Sequence, residues 1–209
     1  MKKNLKLAAL LATLAIAVFC FAGCGQEETP EASVTVADTP EAVCEVRDLA
    51  MGYVEKYAKE LEGEWVDRHD ALVAEDLGEA TMESDEYAAL KEVLDGYRLD
   101  CGATYMYALV PNADGDFCIT VDGSEEPDTW MENYGFEVQF GEAYDSGLVA
   151  SARSGWQDGE DAWCWSVFAP LYNSEGTITA IIGIDYPAPV LADYPEWDRD
   201  SDSWNGLEE

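Results

Sequence analysis

The chain has 209 residues, with 44 acidic side chains against 11 basic ones, a formal net charge of −33 and six cysteines. A nucleic-acid binder needs a basic surface to displace counterions from phosphate, so that class is excluded. With 48% hydrophobic and 11% aromatic residues, the chain can bury a core and is no wholly disordered acidic polymer. Its length fits one ordinary domain with flanking segments.

Lys2, Lys3 and Lys6 precede the uncharged apolar run Leu7 to Ala22, the charged-then-apolar order of a secretory signal. The run is shorter than the roughly 20 residues of a bilayer-spanning helix. It ends in Phe21-Ala22-Gly23-Cys24, which resembles the lipobox of bacterial lipoproteins, with Phe21 where leucine is usual. The resemblance implies cleavage before Cys24 and diacylglycerol on its thiol, so residues 1–23 are expected to be a signal peptide. The alternative is an uncleaved anchor or a plain secretory signal. Either way the folded part is expected outside the cytoplasm, on the lipid reading held at the cell membrane. Cleavage removes Lys2, Lys3 and Lys6 and no acid, and so acidic a surface is repelled by anionic headgroups. Residues 24–39, rich in Glu, Thr, Ala, Ser and Pro, are expected to be a flexible tether.

Beyond the tether, Thr39 suits an N-cap and Pro40 a first turn, and Val43, Val46, Leu49, Ala50, Tyr53, Val54, Tyr57 and Leu61 recur every three to four residues. The spacing predicts a long amphipathic helix reaching Asp67 or beyond. A second helix is predicted from about Ser84, with Asp85 and Glu86 in its first turn and Tyr87, Leu90, Val93, Leu94 and Tyr97 on its apolar side. After Gly102 the period becomes two. Strands are predicted over Thr104–Val110 and Phe117–Val121, around the turn Pro111–Gly115, and over Ala162–Leu171 and Thr177–Tyr186, around Asn173–Gly176. Between the hairpins lies an irregular crossing, Ser124–Gly155, with room for a short helix and a short strand. This order predicts an α+β domain, an antiparallel sheet covered by helices.

Tyr105-Met106-Tyr107-Ala108-Leu109-Val110-Pro111, Asp114-Gly115, Val121-Asp122-Gly123, the run from Ala169 to Gly176 and Ile182-Gly183-Ile184-Asp185, in this order, resemble the extracytoplasmic Cache sensor domain. The resemblance implies a PAS-like antiparallel sheet of about five strands behind a long N-terminal helix. It covers residues 40–188 as a sensor domain, with 189–209 left as an acidic tail. It further implies a ligand pocket on one sheet face, closed by the crossing segment, in which an aspartate near the end of the last strand meets the cationic group of an amine or amino acid. Asp185 is the matching position. Its neighbours Ile178, Ile182 and Ile184 are apolar, so the acid meets a partner or carries a desolvation cost. A strand-end carboxylate bonded to a loop backbone is the plain alternative.

Alternation puts Trp163, Trp165, Val167 and Ala169 on one face of their strand, Cys164, Ser166 and Phe168 on the other, and Tyr105, Tyr107 and Leu109 together on theirs. One face of each set must meet the N-terminal helix. The expectation is that Tyr107, Trp163 and Trp165 face the cavity and that Trp130 and Tyr144 close it, with core packing the alternative for each ring. Rings around one acid favour a cationic or zwitterionic small organic ligand. An arginine clamp for a ligand carboxylate has no clear counterpart; Arg153 lies in the right region, in a register that alternation leaves open.

The leading expectation is therefore a membrane-anchored, ligand-binding lipoprotein, not an enzyme, without an output domain of its own and serving a partner receptor or transporter. The alternative is a surface scaffold whose pocket is filled by its own rings. No cofactor is expected. Cys44, Cys101, Cys118 and Cys164 remain after the cut, with no CxxC pair, and are expected as structural disulfides or buried small hydrophobes; four cysteines allow three pairings. His69 is read as a solvated helix-end residue. The acid spacing from Asp198 to Glu209 echoes a calcium loop but has Ser203 where glycine belongs, so no metal is expected.

Overall fold

The computed structural model describes residues 41–148, 151–157 and 162–194, with the backbone alone for 151–157 and 162. The expected signal peptide, the expected lipid attachment at Cys24, the expected tether and the calcium-like spacing lie outside the described residues, as does the side chain of Arg153. No helix among the described residues is long and apolar enough to cross a membrane.

The first predicted helix is two. Helix α1, Glu41–Leu61, buries Val43, Ala50, Val54, Tyr57, Ala58 and Leu61 along one stripe, and α2 covers Glu64–Glu75. Between them Gly63 takes φ 79°, a left-handed conformation that glycine adopts without Cβ strain, and its N–H bonds the carbonyl of Tyr172 at 3.0 Å. Apolar periodicity runs on across this bend, which is why it read as one helix. Helix α3, Asp85–Cys101, starts where Ser84 accepts a hydrogen bond from the Tyr87 N–H and ends at Gly102 in the left-handed conformation, an N-cap and C-cap of the usual residue types.

The sheet has six antiparallel strands in the order β3-β2-β1-β6-β5-β4. They are β1 Tyr105–Pro111, β2 Phe117–Asp122, β3 Asn133–Gly135, β4 Ser151–Gln157, β5 Ala162–Tyr172 and β6 Ile178–Pro187. Five are long, as expected; the sixth, β3, is a three-residue edge. The crossing segment supplies β3, helix α4 (Val138–Asp145) and β4. Past Ala188 a 3-10 turn, Pro189–Asp193, folds back and buries Leu191.

Period-two alternation divides the core into two layers. On one face Met106, Ala108, Trp165, Val167, Ala169, Ile182 and Ile184 pack under α1, α2 and α3. On the other, Tyr107, Leu109, Phe117, Ile119, Phe168 and Ile181 pack with Phe140 and Ala143 of α4.

Of the two readings open for the cysteines, the structure favours small hydrophobes, since Cys101, Cys118 and Cys164 are buried. One expectation about a single residue is corrected. His69 is fully buried, because α2 lays it against the sheet rather than ending there. Its ring stacks on Trp65 at 5.3 Å, and Nε2 lies 2.8 Å from Thr120 Oγ1. Thr120 Oγ1 in turn donates to the Ala108 carbonyl, which ties the ring to the sheet backbone.

Candidate functional site

Asp185 stands on β6, on the face opposite α1. It is directly opposite Ser166 on β5 and Tyr105 on β1. Ser166 Oγ donates to Asp185 Oδ1 at 2.5 Å, and the Tyr107 hydroxyl approaches the same oxygen at 3.4 Å. Asp185 is half-buried, whereas Ser166 and Tyr107 are buried. The carboxylate is thus oriented by two hydroxyl donors without being sealed away from solvent.

Tyr107 reaches it because position 183 has no side chain. The two residues are paired across the strands, and a Cβ on Gly183 would stand 2.5 Å from Tyr107 Cε2 and 3.1 Å from Phe168 Cε1. Absence of that one carbon lets the Tyr107 ring lie against the β6 backbone.

Beside Tyr107 stands Tyr134 of β3, ring centroids 6.0 Å apart, its hydroxyl donating to Asp128. Burial pushes the Tyr134 phenol well above its ordinary pKa, and the Asp128 bond and the charges of Asp128, Asp122 and Asp185 push it further. The phenol therefore stays a neutral donor, in a negative local field. Asp122, opposite Tyr107 on β2, is buried and spends its oxygens on the Ser124 N–H, the Ser124 hydroxyl and the Asp128 N–H. It ties the loop and is not offered to a ligand.

The same face is closed at its other end. Phe140 of α4 is wedged against Phe168 at 4.9 Å and Phe117 at 5.3 Å, and Tyr144 stands edge-on to Phe117 at 5.7 Å. The hollow thus has an apolar end filled by α4 and a polar end around Asp185, Ser166, Tyr107 and Tyr134.

Of the six expected contact residues, Asp185, Tyr107 and Tyr144 share this face, with Tyr144 over its filled end. Trp163, Trp165 and Trp130 belong elsewhere, which corrects the expected cavity lining. Trp165 opposes Tyr186 and lies in the helix-side core, with Trp163 packed on it. The physical reason is an irregularity of register at Leu171/Tyr172: Tyr172 pairs with Ile178, but Leu171 with Ala180. Without that extra β6 residue Trp165 would oppose Asp185; with it, every β5 side chain trades faces and Ser166 takes the place. Trp130 packs edge-on to Tyr87 at 6.2 Å and donates from Nε1 to Asp76 Oδ1 at 2.9 Å, pinning the crossing segment to the helix layer. Residues missed by sequence reasoning are Ser166 and Tyr134. Ser166 carried a signal, a small polar residue amid an apolar strand; Tyr134 carried none beyond being aromatic.

A concave place of about 500 Å³ lies at the α1–α2 bend and is lined by Glu62, Gly63, Tyr172, Asn173, Ser174 and Gly176. Its backbone donors are already used, Ser174 N–H by Asp67 Oδ1 and Gly176 N–H by the Asn173 carbonyl.

No protein-family model and no curated protein matches the chain. Among solved structures, it is similar to the ligand-binding domain of the Campylobacter jejuni chemoreceptor Tlp3 in complex with 4-methylisoleucine, at 16% identity and TM-score 0.36 over 73% of this chain and 61% of that one. It is also similar to the periplasmic domain of RsbU from Chlamydia trachomatis, at 14% identity and TM-score 0.37 over 77% and 57%. A third likeness is to the ligand-binding domain of Mlp24 with asparagine, at 15% identity and TM-score 0.36 over 74% and 64%. The chain spans about three fifths of the length of these neighbours.

Substitution of Gly183 by alanine tests the geometry of the polar end. The added methyl is expected to displace the Tyr107 ring and cost about 1–3 kcal/mol of overpacking, read as a lower urea midpoint at unchanged slope. Wild-type stability in Gly183→Ala would show that the ring does not lie there.

Proposed function

We propose that this chain is an extracytoplasmic lipoprotein, anchored through Cys24, whose Cache-like domain binds a small cationic or zwitterionic organic ligand at the Asp185 end of the sheet. The domain is a binding module rather than an enzyme, and it passes its ligand, or the news of it, to a partner receptor or transporter. The observation that carries this reading is the half-buried Asp185 carboxylate, held by Ser166 and backed by Tyr107. Hydroxyl donors favour the ionised form of a carboxylate, and a ligand cation is a partner that such a charge favours. Tyr107 and Tyr134 add ring surface on which a cation can rest. The lipobox-like Phe21-Ala22-Gly23-Cys24 supports the anchor, since two or three acyl chains hold a soluble domain firmly on a membrane. The filled end, with Phe140 among Phe117 and Phe168, favours the scaffold alternative for that half of the face alone.

Differential scanning fluorimetry against amino acids, amines, polyamines and short carboxylates tests the reading, because a ligand of the native state raises the melting temperature by mass action. At least one cationic or zwitterionic compound is expected to shift the wild type, and Asp185→Asn is expected to lose the shift while still unfolding cooperatively. Silence across the library, or a shift retained by the variant, would contradict the proposed site. The anchor is tested by fatty-acid labelling in a bacterial host: wild type is expected to label and Cys24→Ser not to, whereas labelling of both would contradict attachment at Cys24.

A further inference from the structure

Tyrosine rings stack between α1, α3 and β6. Tyr57 of α1 lies 4.5 Å from Tyr97 of α3, centroid to centroid, and 6.3 Å from Tyr53, one turn back on its own helix. Both neighbours are nearly parallel to it, at 20° and 10°. Tyr53 in turn lies 5.6 Å from Tyr186 of β6, which packs on the helix-side core and so turns away from the face of Asp185. Tyr57 is fully buried; Tyr53, Tyr97 and Tyr186 are half-buried. The Tyr57 hydroxyl donates to Asp100 Oδ2 at 2.8 Å, and Asp100 is exposed. Lys56 Nζ stands 4.6 Å over the Tyr57 ring and 3.5 Å from the same Asp100 oxygen. Burial pushes the phenols of Tyr57, Tyr97 and Tyr186 up, Asp100 adding to the first and Glu60 to the second, so each ring meets an oxidant with its proton on. A phenol that loses an electron becomes a strong acid, and the ammonium over Tyr57 disfavours a bare cation on that ring. Its electron therefore leaves together with its proton, and the Asp100 carboxylate is already bonded to that proton.

We propose that this stack is a relay for oxidising equivalents, in which a radical formed on a half-buried ring is passed to Tyr57 and held there. The reacting partner is a one-electron oxidant such as a peroxyl radical. It takes one electron and one proton from Tyr53, Tyr97 or Tyr186, becomes a hydroperoxide and leaves a phenoxyl radical on that ring. Tyr57 then gives its electron along the stack to that radical, which regains a proton from water, while the Tyr57 proton passes to Asp100. Asp100, being exposed, returns the proton to solvent. The half-buried ring is restored, and the unpaired electron rests on a ring that a second chain cannot reach. Two phenoxyl radicals couple to dityrosine only when their rings meet, so the relay protects the chain from being cross-linked to its neighbours. This activity is independent of the ligand reading, since the stack lies on the helix side of the sheet.

The test is photo-oxidation of the purified full chain with tris(bipyridine)ruthenium and persulfate, which supplies a one-electron oxidant on illumination. Electron paramagnetic resonance of samples frozen after the flash reads the tyrosyl radical, and a denaturing gel reads dityrosine-linked dimers. Wild type is expected to hold a tyrosyl radical and to form few dimers. In Tyr57→Phe, which keeps the ring and removes the proton, the radical signal is expected to fall several-fold and the dimers to rise several-fold. Asp100→Asn, a change at an exposed side chain, is expected to move both readouts the same way with the melting temperature little changed, because it removes the base and leaves the stack. Radical and dimer yields unchanged in Tyr57→Phe overturn the proposal, and so does an Asp100→Asn variant that behaves as wild type. Should Tyr57→Phe fail to melt cooperatively, Asp100→Asn alone decides.

Discussion

Side chains alternate along β6, at the middle of the sheet, and the helices take one of its two faces. Ile182 and Ile184 go under α1 to α3; Ile181, Gly183 and Asp185 are left to the other face. This division makes the molecule asymmetric. A fully apolar β6 would bury both faces, whereas a chain with a glycine and an acid at alternate positions leaves one face with a slot and a charge. Tyr107 enters the slot and reaches the charge, so the same two residues that interrupt the apolar pattern create the polar end of the hollow.

The crossing segment completes the arrangement in two ways. Trp130 fastens it to the helix layer through Asp76, Met82 and Tyr87, and the buried Asp122 ties the turn that precedes it. Beyond these fixings, Tyr134 sits beside Tyr107, and α4 crosses over the strands to drive Phe140 into the apolar end. An apolar wedge fills half the face and a carboxylate remains at the other half. The proposed ligand site needs that combination: packed residues hold its polar groups in place, so little ordering cost falls on a ligand.

Much of the fold was legible in residue patterns, since capping residues and periodicity act locally. Ser84 and Gly102 bracket α3 as read, and both hairpins follow their turn residues. The helix break at Gly63 was not legible, because the apolar stripe continues across it and only a backbone angle marks the stop. The site was legible in part. Asp185 and Tyr107 stand on one face because β1 and β6 pair without a slip, Tyr105 to Asp185 and Tyr107 to Gly183, which keeps the alternation of the two strands in step. Which face of β5 joins them depends on the register at Leu171/Tyr172, and one extra residue there exchanges Trp165 for Ser166. Alternation within a strand carries no information about such a slip between strands. His69 was misjudged for a related reason, since its burial is decided by what α2 and the strands bring against it.

The central claim is that the open, ligand-competent end of this domain is the one marked by Asp185. It is tested most directly by an NMR titration of the uniformly ¹⁵N-labelled chain with ethanolamine. Amide shift changes are expected to cluster on residues 164–168 of β5 and 183–186 of β6, and to leave the α1–α2 bend at Gly63 unmoved. Changes centred on Gly63 and Ser174 instead, or none at saturating amine, would contradict the account.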